Sequence, residues 1–160
     1  VTTSESLANA VSDEVERQLK LLPRESIARP AIENNSYIAV MDSVEDMFTV
    51  MNEVAPEHLE IQLPDPMNYM SLVQNAGSVF LGAYASEPLG DYVGGTNHVL
   101  PTSGTARFSS PLGVYDFVKR TSFTQFTKER LEEVATHITT LARTEGLEAH
   151  ARAIEVRFEK

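Results

Sequence analysis

The sequence predicts an α/β fold, with a partial doubly wound, Rossmann-like parallel sheet followed by a helical C-terminal tail. Short runs of β-forming apolar residues alternate with helical periodicity as far as about residue 82, which is the pattern of βαβ units. Beyond about residue 127 the apolar residues recur only at helical spacing. We therefore expect a sheet domain over residues 1–108 and a helical tail over residues 109–160.

Composition narrows the class of function. The chain has 160 residues, no cysteine and a net charge of -10. A face for nucleic acid is not expected, because phosphate contacts require clustered Lys and Arg. Without cysteine there is neither disulfide nor thiolate chemistry. No apolar run approaches the length of a membrane span and no export signal opens the chain, so a cytoplasmic protein is expected. The first residue is Val1 rather than Met, which suggests a piece of a longer protein.

The first part of the chain predicts two helices and one strand. Ser4 is an N-cap residue, and apolar residues then recur every three or four positions as far as Leu22, just before a proline. A shorter helix is predicted over residues 25–33. Residues 37–41 form an apolar run rich in β-formers, which predicts a buried strand.

Two further strands and two helices are predicted next. Ser43 has an acidic residue three positions later, which predicts a capped helix to about Val54. Residues 59–63 alternate apolar and polar, as a half-buried strand does. An aspartate–proline pair then opens a helix predicted over 67–75, and residues 78–81 predict the third strand.

Residues 90–102 form the most distinctive stretch, with three glycines in its first six residues. It is too rich in glycine to predict a helix and too irregular to predict a strand. It carries the carboxylate of Asp91, the amide of Asn97 and the imidazole of His98, groups that bind metals and move protons. A site on this loop and an ordinary surface turn are both consistent with the pattern. The loop follows the third strand, where ligands bind in parallel sheets, whereas Glu57-His58 precedes its own strand.

The tail predicts three helices. A serine–serine–proline start predicts the first over residues 109–118. Thr127 opens a long amphipathic helix, Gly146 is placed as the residue that ends it, and residues 147–158 predict the last helix.

Candidate chemical groups are scattered along the chain. Glu57 and His58 are adjacent, and such a pair can handle protons near neutral pH. Asp91 and His98, with His58 and His150, offer ligands of the kind that zinc accepts, but only if distant segments converge. Neither a local zinc motif nor a glycine-rich dinucleotide or phosphate motif is present. The residues alone therefore lead as far as an α/β domain with a polar loop and a helical tail, with metal binding left open.

Five motifs, in order and at consistent spacing, resemble histidinol dehydrogenase. They read Ala-Pro-Glu-His-Leu-Glu at 55–60, Ala-Gly-Ser-Val-Phe-Leu-Gly at 76–82, Gly-Asp-Tyr through Asn-His-Val-Leu-Pro-Thr at 90–102, Ser-Ser-Pro-Leu-Gly at 109–113 and Glu-Gly-Leu-Glu-Ala-His at 145–150. The resemblance covers essentially the whole chain, but only the C-terminal part of that enzyme and less than half of its length.

The resemblance implies a homodimeric enzyme that uses zinc and NAD to oxidise L-histidinol to L-histidine through histidinal, in L-histidine biosynthesis. It implies that Glu57 activates water and that His58 takes the alcohol proton. Asp91 and His150 are implied as zinc ligands, with Glu145 and His150 reaching the partner's site through an exchanged tail. The implied substrate-binding residues are His58, Asp91, His98, Glu145 and His150.

One departure from the family limits this expectation. The two remaining zinc ligands of the family, a Gln and a His, and the residues that hold NAD lie upstream of Val1. We therefore expect the chain alone to bind zinc weakly, to bind NAD poorly and not to turn over histidinol. A non-catalytic dimerising interaction module is the alternative function, and a generic metal-binding domain ranks third.

Overall fold

The computed structural model describes residues 1–159. The chain divides into two compact units, one spanning Val1–Val118 and the other running from Lys119 onward. The predicted sheet elements and the glycine-rich stretch lie in the first unit, and the long helix of the tail lies in the second.

Three helices open the first unit: α1 at Glu5–Leu19, α2 at Glu25–Asn35 and α3 at Val44–Val54. The predicted caps are confirmed, because the Ser4 side chain accepts the N–H of Leu7 and the Ser43 side chain accepts that of Asp46. Such caps satisfy backbone donors that the first helical turn leaves unpaired. Within residues 1–159, no helix combines the length and the apolar composition that crossing a bilayer requires.

A parallel pair of strands confirms the α/β class. Strand β1 spans His58–Ile61 and β2 spans Ser78–Leu81, paired in register from His58 beside Ser78 to Ile61 beside Leu81. Side chains alternate between the two faces of a sheet, so residues paired in register share a face. One face thus carries Leu59, Ile61, Val79 and Leu81, and the other carries His58, Glu60, Ser78 and Phe80.

The apolar face of this sheet forms the core with α3. Phe48 of α3 packs with Leu59 and Ile61, and all three are buried. Tyr69, from the connection between the strands, stacks on Phe48 with ring centroids 5.9 Å apart. Of the strand predicted over residues 59–63, residues 59–61 lie in β1, where Leu59 and Ile61 are buried against α3 as predicted, whereas Leu63 lies beyond its end and is half-buried.

The buried strand predicted at residues 37–41 is wrong. Val40 makes only an isolated bridge with Thr2, and the side chain of Tyr37 is 90% exposed. An apolar run becomes a buried strand only where neighbouring strands pair with it. In the part of the chain that the structure describes, only the single residue Thr2 takes that place.

The helix predicted over residues 67–75 is a 3-10 helix at Pro66–Leu72 instead. The side chain of Asn52 explains why it stops. Its amide donates to the carbonyl of Leu72 at 2.8 Å, and its oxygen accepts the N–H groups of Gln74 and Asn75 at 2.8 and 3.2 Å. These backbone groups bond to α3 rather than to a continuing helix.

The glycine-rich stretch is not irregular throughout, so the expectation that it excludes a helix is wrong at its start. Helix α4 spans Glu87–Tyr92 and includes Gly90 and Asp91. Residues 93–101 are irregular, as predicted. The helix predicted over 109–118 is a 3-10 turn at Val114–Phe117 instead, and the Asp116 carboxylate accepts the N–H of Gly113 at 2.7 Å at its start.

The second unit is a pair of helices, α5 at Lys128–Thr144 and α6 at Glu148–Glu155. Helix α5 opens at Thr127 as predicted, and the Thr127 side chain caps it by accepting the N–H of Arg130. Gly146 ends α5 as predicted, with a φ of +76° that glycine adopts without the strain of a side chain. The small residues Ala142 of α5 and Ala151 of α6 are the ones most buried here.

We expect Asn52→Ala to lower the free energy of unfolding by about 1–3 kcal/mol, because it leaves partly buried backbone groups without partners. Chemical denaturation measures this, with Asn68→Ala, at an exposed position of the same connection, as the matched control. Equal stability of the two variants would contradict the role given to Asn52.

Candidate functional site

The polar face of the sheet is covered by α4, and this contact builds the site. The N–H of Glu87 donates to Oε1 of Glu60 at 3.0 Å. A Cβ placed on Gly90 would lie 2.8 Å from ring atoms of Phe80, closer than real Cβ contacts come. Glycine at this position therefore lets the α4 backbone rest on the Phe80 ring. Helix α4 thus contacts the sheet at Glu60 of β1 and at Phe80 of β2.

Three titratable side chains meet beneath α4. His58, Glu87 and Asp91 each offer one ligand atom, these atoms all lie within 4.8 Å of one another, and all three residues are half-buried. Glu87 and Asp91 are four residues apart in α4 and so lie on one side of it. The ring of His58 lies 6.0 Å from that of Phe80, centroid to centroid. The adjacency of Glu57-His58 to the glycine-rich stretch could not be read from spacing along the chain.

Asp91 is the shared partner in this cluster. Its Oδ1 lies 2.9 Å from Nδ1 of His98, and the Asp91 side chain is 19% exposed against 74% for that of His98. The hydrogen bond from His98, followed by one with Glu87, holds the pKa of Asp91 below its ordinary value. The same contact with Asp91 raises the pKa of His98 above 6.5. The pKa of Glu87 is raised, chiefly by its hydrogen bond with Asp91 and then by desolvation.

Glu57 is fixed by its backbone. Its carbonyl accepts the N–H of Ser78 at 2.8 Å, at the start of the strand pair. A Cβ on Gly77 would lie 2.6 Å from that same carbonyl oxygen, so the close approach depends on glycine. The charge of Glu57 contributes to the raised pKa of His98, after the contacts with Asp91. Glu57 is half-buried and precedes His58 directly.

The remaining predicted site residues lie in the second unit. Glu145 is the C-cap residue of α5, directly before Gly146, and His150 lies in the first turn of α6. Both are exposed. The first unit thus brings together His58, Asp91 and His98, with Glu57 adjacent, whereas Glu145 and His150 share a helical corner of their own.

Sequence reasoning missed Glu87. Its signals were present: Ser86 at a capping position, an acidic residue in the first turn and Pro88 at the start of the helix. The glycines that follow predicted a loop, and a loop gives no reason to place Glu87 and Asp91 on one side. Recognition of the short helix would have found the pair.

The chemistry of this cluster suits a metal such as zinc. Zinc accepts imidazole nitrogen and carboxylate oxygen, and catalytic zinc sites commonly have three protein ligands. One imidazole and two carboxylates within 4.8 Å supply such a set. His98 is hydrogen-bonded to the carboxylate of Asp91, an arrangement that would orient that carboxylate if it bound a metal.

The His98–Asp91 pair predicts a pH dependence in the metal-free protein. Because the pKa of His98 is raised, its contribution to stability is complete below the ordinary histidine pKa and is lost as pH rises through the raised value. Because the pKa of Asp91 is lowered, the pair also weakens as pH falls through that lowered value. NMR titration should show the His98 pKa fall toward 6.5 in Asp91→Asn. In the control variant Asp42→Asn, the His98 pKa should stay raised. An unchanged His98 pKa in Asp91→Asn would contradict the ion pair.

We expect Gly90→Ala to destabilise the first unit, although alanine favours a helix by about 0.5–1 kcal/mol over glycine. The added methyl meets the buried ring of Phe80, and such overpacking costs about 1–3 kcal/mol. Thermal or chemical unfolding should therefore show a net loss on the order of 1 kcal/mol. Adding Phe80→Leu should reduce the loss caused by the alanine, and a Gly90→Ala variant more stable than wild type would refute the contact.

Comparison with known proteins identifies the family. The sequence pattern of histidinol dehydrogenase matches residues 1–158. The histidinol dehydrogenase of Lactiplantibacillus plantarum is 67% identical over 159 residues, which is 99% of this chain and 37% of that protein. That of Listeria monocytogenes is 55% identical over 160 residues, which is 100% of this chain and 38% of that protein.

A solved structure agrees with the sequence relatives. The crystal structure of histidinol dehydrogenase from Elizabethkingia anophelis matches with a TM-score of 0.74 and 39% identity, over 98% of this chain and 36% of that one. The chain therefore spans little more than a third of the length of these relatives. It belongs to the histidinol dehydrogenase family.

Proposed function

We propose that this chain provides the acid–base residues and part of the metal site of a zinc- and NAD-dependent histidinol dehydrogenase, which oxidises L-histidinol to L-histidine through histidinal. Family membership supports the reaction class. The observation that carries the proposal is the meeting of His58 with Asp91, 33 positions apart in the chain, under a helix that glycine allows to come close.

The proposed roles are those that the family resemblance implies for these residues. In the first oxidation, the alcohol O–H proton passes to His58 while the hydride leaves the carbon. In the second, Glu57 removes a proton from the water that adds to the aldehyde, and another hydride leaves. Glu57 and His58 are consecutive residues at the start of β1 and both are half-buried, and a carboxylate and an imidazole are groups suited to proton transfer.

Zinc and NAD would complete the site. Asp91 would hold zinc from the first unit, with His150 as a second ligand, and zinc would supply an electrophilic centre that orients the substrate. NAD would take up the two hydrides. We place its binding residues outside this chain, since the resemblance assigns them to the upstream part of the enzyme.

The second unit would take part in forming a homodimer. We propose that Glu145 and His150 act in the site of a second copy, through exchange of the helical tail. Glu145 would contact the substrate, His150 would ligate zinc, and His58, Asp91 and His98 would line the same substrate site. Both tail residues are exposed at the corner between α5 and α6, where a second chain can reach them. The cytoplasmic location stays a prediction from sequence.

A chimera tests the proposal. The matching third of the Lactiplantibacillus plantarum histidinol dehydrogenase is replaced by this chain, and NADH formation is measured with histidinol and zinc. We expect turnover. Glu57→Gln and His58→Asn should each lower it by about 10²–10⁴-fold, the usual contribution of general acid–base catalysis. The isolated chain should show none.

Glu53→Gln, at an exposed acidic position of α3, is the matched control and should keep the activity of the chimera. Circular dichroism and gel filtration of each variant exclude misfolding as the cause of a loss. A folded chimera with no turnover above that of its His58→Asn variant would rule out the proposed function.

A further inference from the structure

We propose that Asn97 is a positioning residue for His98, and that it works by tying the loop at residues 93–101 to the Ser-Ser-Pro-Leu-Gly motif at residues 109–113. The roles that the family resemblance implies leave both Asn97 and this motif without a function. Any effect on turnover rests on the proposed function, in which His98 lines the substrate site. The positioning itself concerns only this chain.

The ring of His98 is held beside Asp91 by a weak contact. The imidazole is 74% exposed, and its Nδ1 lies 2.9 Å from Oδ1 of Asp91. Water screens an ion pair with so exposed a partner, so the pair contributes little on its own. Gly94 and Gly95 precede it, and glycines lose much conformational freedom when a loop is ordered. The loop therefore needs further fixed points if the ring is to keep one direction.

Asn97 supplies such a point by bonding across His98. Its side-chain oxygen accepts the N–H of Val99 at 2.8 Å, which closes a turn around the residue between them. Its side-chain nitrogen donates to the carbonyl of Leu112 at 2.7 Å. The N–H of Leu112 in turn donates to the carbonyl of Val99 at 3.0 Å. The three hydrogen bonds form a closed cycle that holds the backbone on both sides of His98.

The two ends of the loop are anchored elsewhere in the first unit. At its start, the N–H of Val93 donates to the carbonyl of Leu89 in α4 at 3.1 Å. At its end, Pro101 is buried. A Cβ placed on Gly77, directly before β2, would lie 3.2 Å from Cδ of Pro101, so the proline ring packs against the Gly77 backbone. The cycle around Asn97 thus fixes the middle of a loop whose ends are already held.

An amide side chain is well suited to this position. It has an acceptor and a donor on separate atoms of one plane, so it can bond Val99 and Leu112 at the same time. A serine hydroxyl can still accept the N–H of Val99 in a weaker turn of the same kind. It is too short to replace the bond to Leu112 as well. Substitution by serine should therefore keep part of the positioning, and substitution by alanine should remove it.

The first test measures the χ1 rotamer of His98 in the 160-residue chain from three-bond NMR couplings. We expect one dominant rotamer in wild type, averaging over several in Asn97→Ala and an intermediate result in Asn97→Ser. Asn34→Ala is the matched control, since Asn34 is an exposed residue of α2 whose side-chain nitrogen donates to the carbonyl of Pro30 at the same 2.7 Å. It should keep the wild-type rotamer. An unchanged rotamer in Asn97→Ala would reject the positioning.

A measurement on wild type alone makes the test independent of any variant that fails to fold. The amide protons of Val99 and Leu112 should be protected from hydrogen exchange, because both are bonded within the cycle. Rapid exchange of both in the folded chain would overturn the proposal.

The second test is a double-mutant cycle in the chimera. Asn97→Ala should lower kcat/KM by about 10–10²-fold, the scale expected when a binding group is misplaced. In a His98→Ala background the same substitution should change kcat/KM by less than about twofold, because a residue that acts through another has no separate effect once that residue is removed. Asn34→Ala should leave kcat/KM unchanged. An equal loss from Asn97→Ala in both backgrounds would mean general structural support and would reject the positioning role.

The two proposals fail separately. An active chimera in which Asn97→Ala acts equally with and without His98 would reject the role of Asn97 and keep the proposed function. A folded but inactive chimera, together with an Asn97-dependent rotamer of His98, would do the reverse.

Discussion

The parallel register of β1 and β2 is the constraint on which the site depends. Because paired residues share a face, burial of Leu59 and Ile61 against α3 forces His58 and Glu60 to the opposite face. A slip by one residue would exchange the two faces, bury the imidazole of His58 in the core and expose the apolar residues. Burial of apolar side chains therefore fixes the register, and the register places polar side chains on the face that carries the candidate site.

Two glycines then allow the close backbone approaches that form the candidate site on this sheet. Gly77 allows the carbonyl of Glu57 to pair with β2, and Gly90 allows α4 to lie directly on Phe80. A glycine inside a helix is unfavourable by about 0.5–1 kcal/mol relative to alanine, so local propensity opposes α4. The contact with the sheet outweighs it. The carboxylate of Asp91 thereby reaches His58 at the amino end of β1, although the stretch that carries it leaves the sheet at the carboxyl end of β2.

Features set by local chemistry were predictable from the sequence. The caps at Ser4, Ser43 and Thr127 depend on one side chain and the turn that follows it, and the structure confirms all three. The state of residues 37–41 was not predictable, because it depends on what packs beside them. The start of α4 was signalled by Ser86 and Pro88, but its continuation through Gly90 depends on contact with Phe80. Of the candidate site, the sequence supplied the residue types and family resemblance supplied their roles. Only the fold shows that His58, Glu87 and His98 come together around Asp91. Glu87 was missed because the helix that carries it was not predicted.

His98 and Glu87 do not compete for the same acceptor position on the carboxylate of Asp91. A carboxylate has two oxygens with about four acceptor positions. His98 occupies one position on Oδ1 through its Nδ1, which leaves the carboxylate able to bond with Glu87 or a cation. The Nε2 atom of the largely exposed His98 ring remains open to a ligand. His98 can therefore orient Asp91 with one ring nitrogen and face substrate with the other, so a positioning role and a place in the substrate site are compatible. Because only one ring nitrogen contacts Asp91, His98 can remain largely exposed while it orients a carboxylate that is mostly buried.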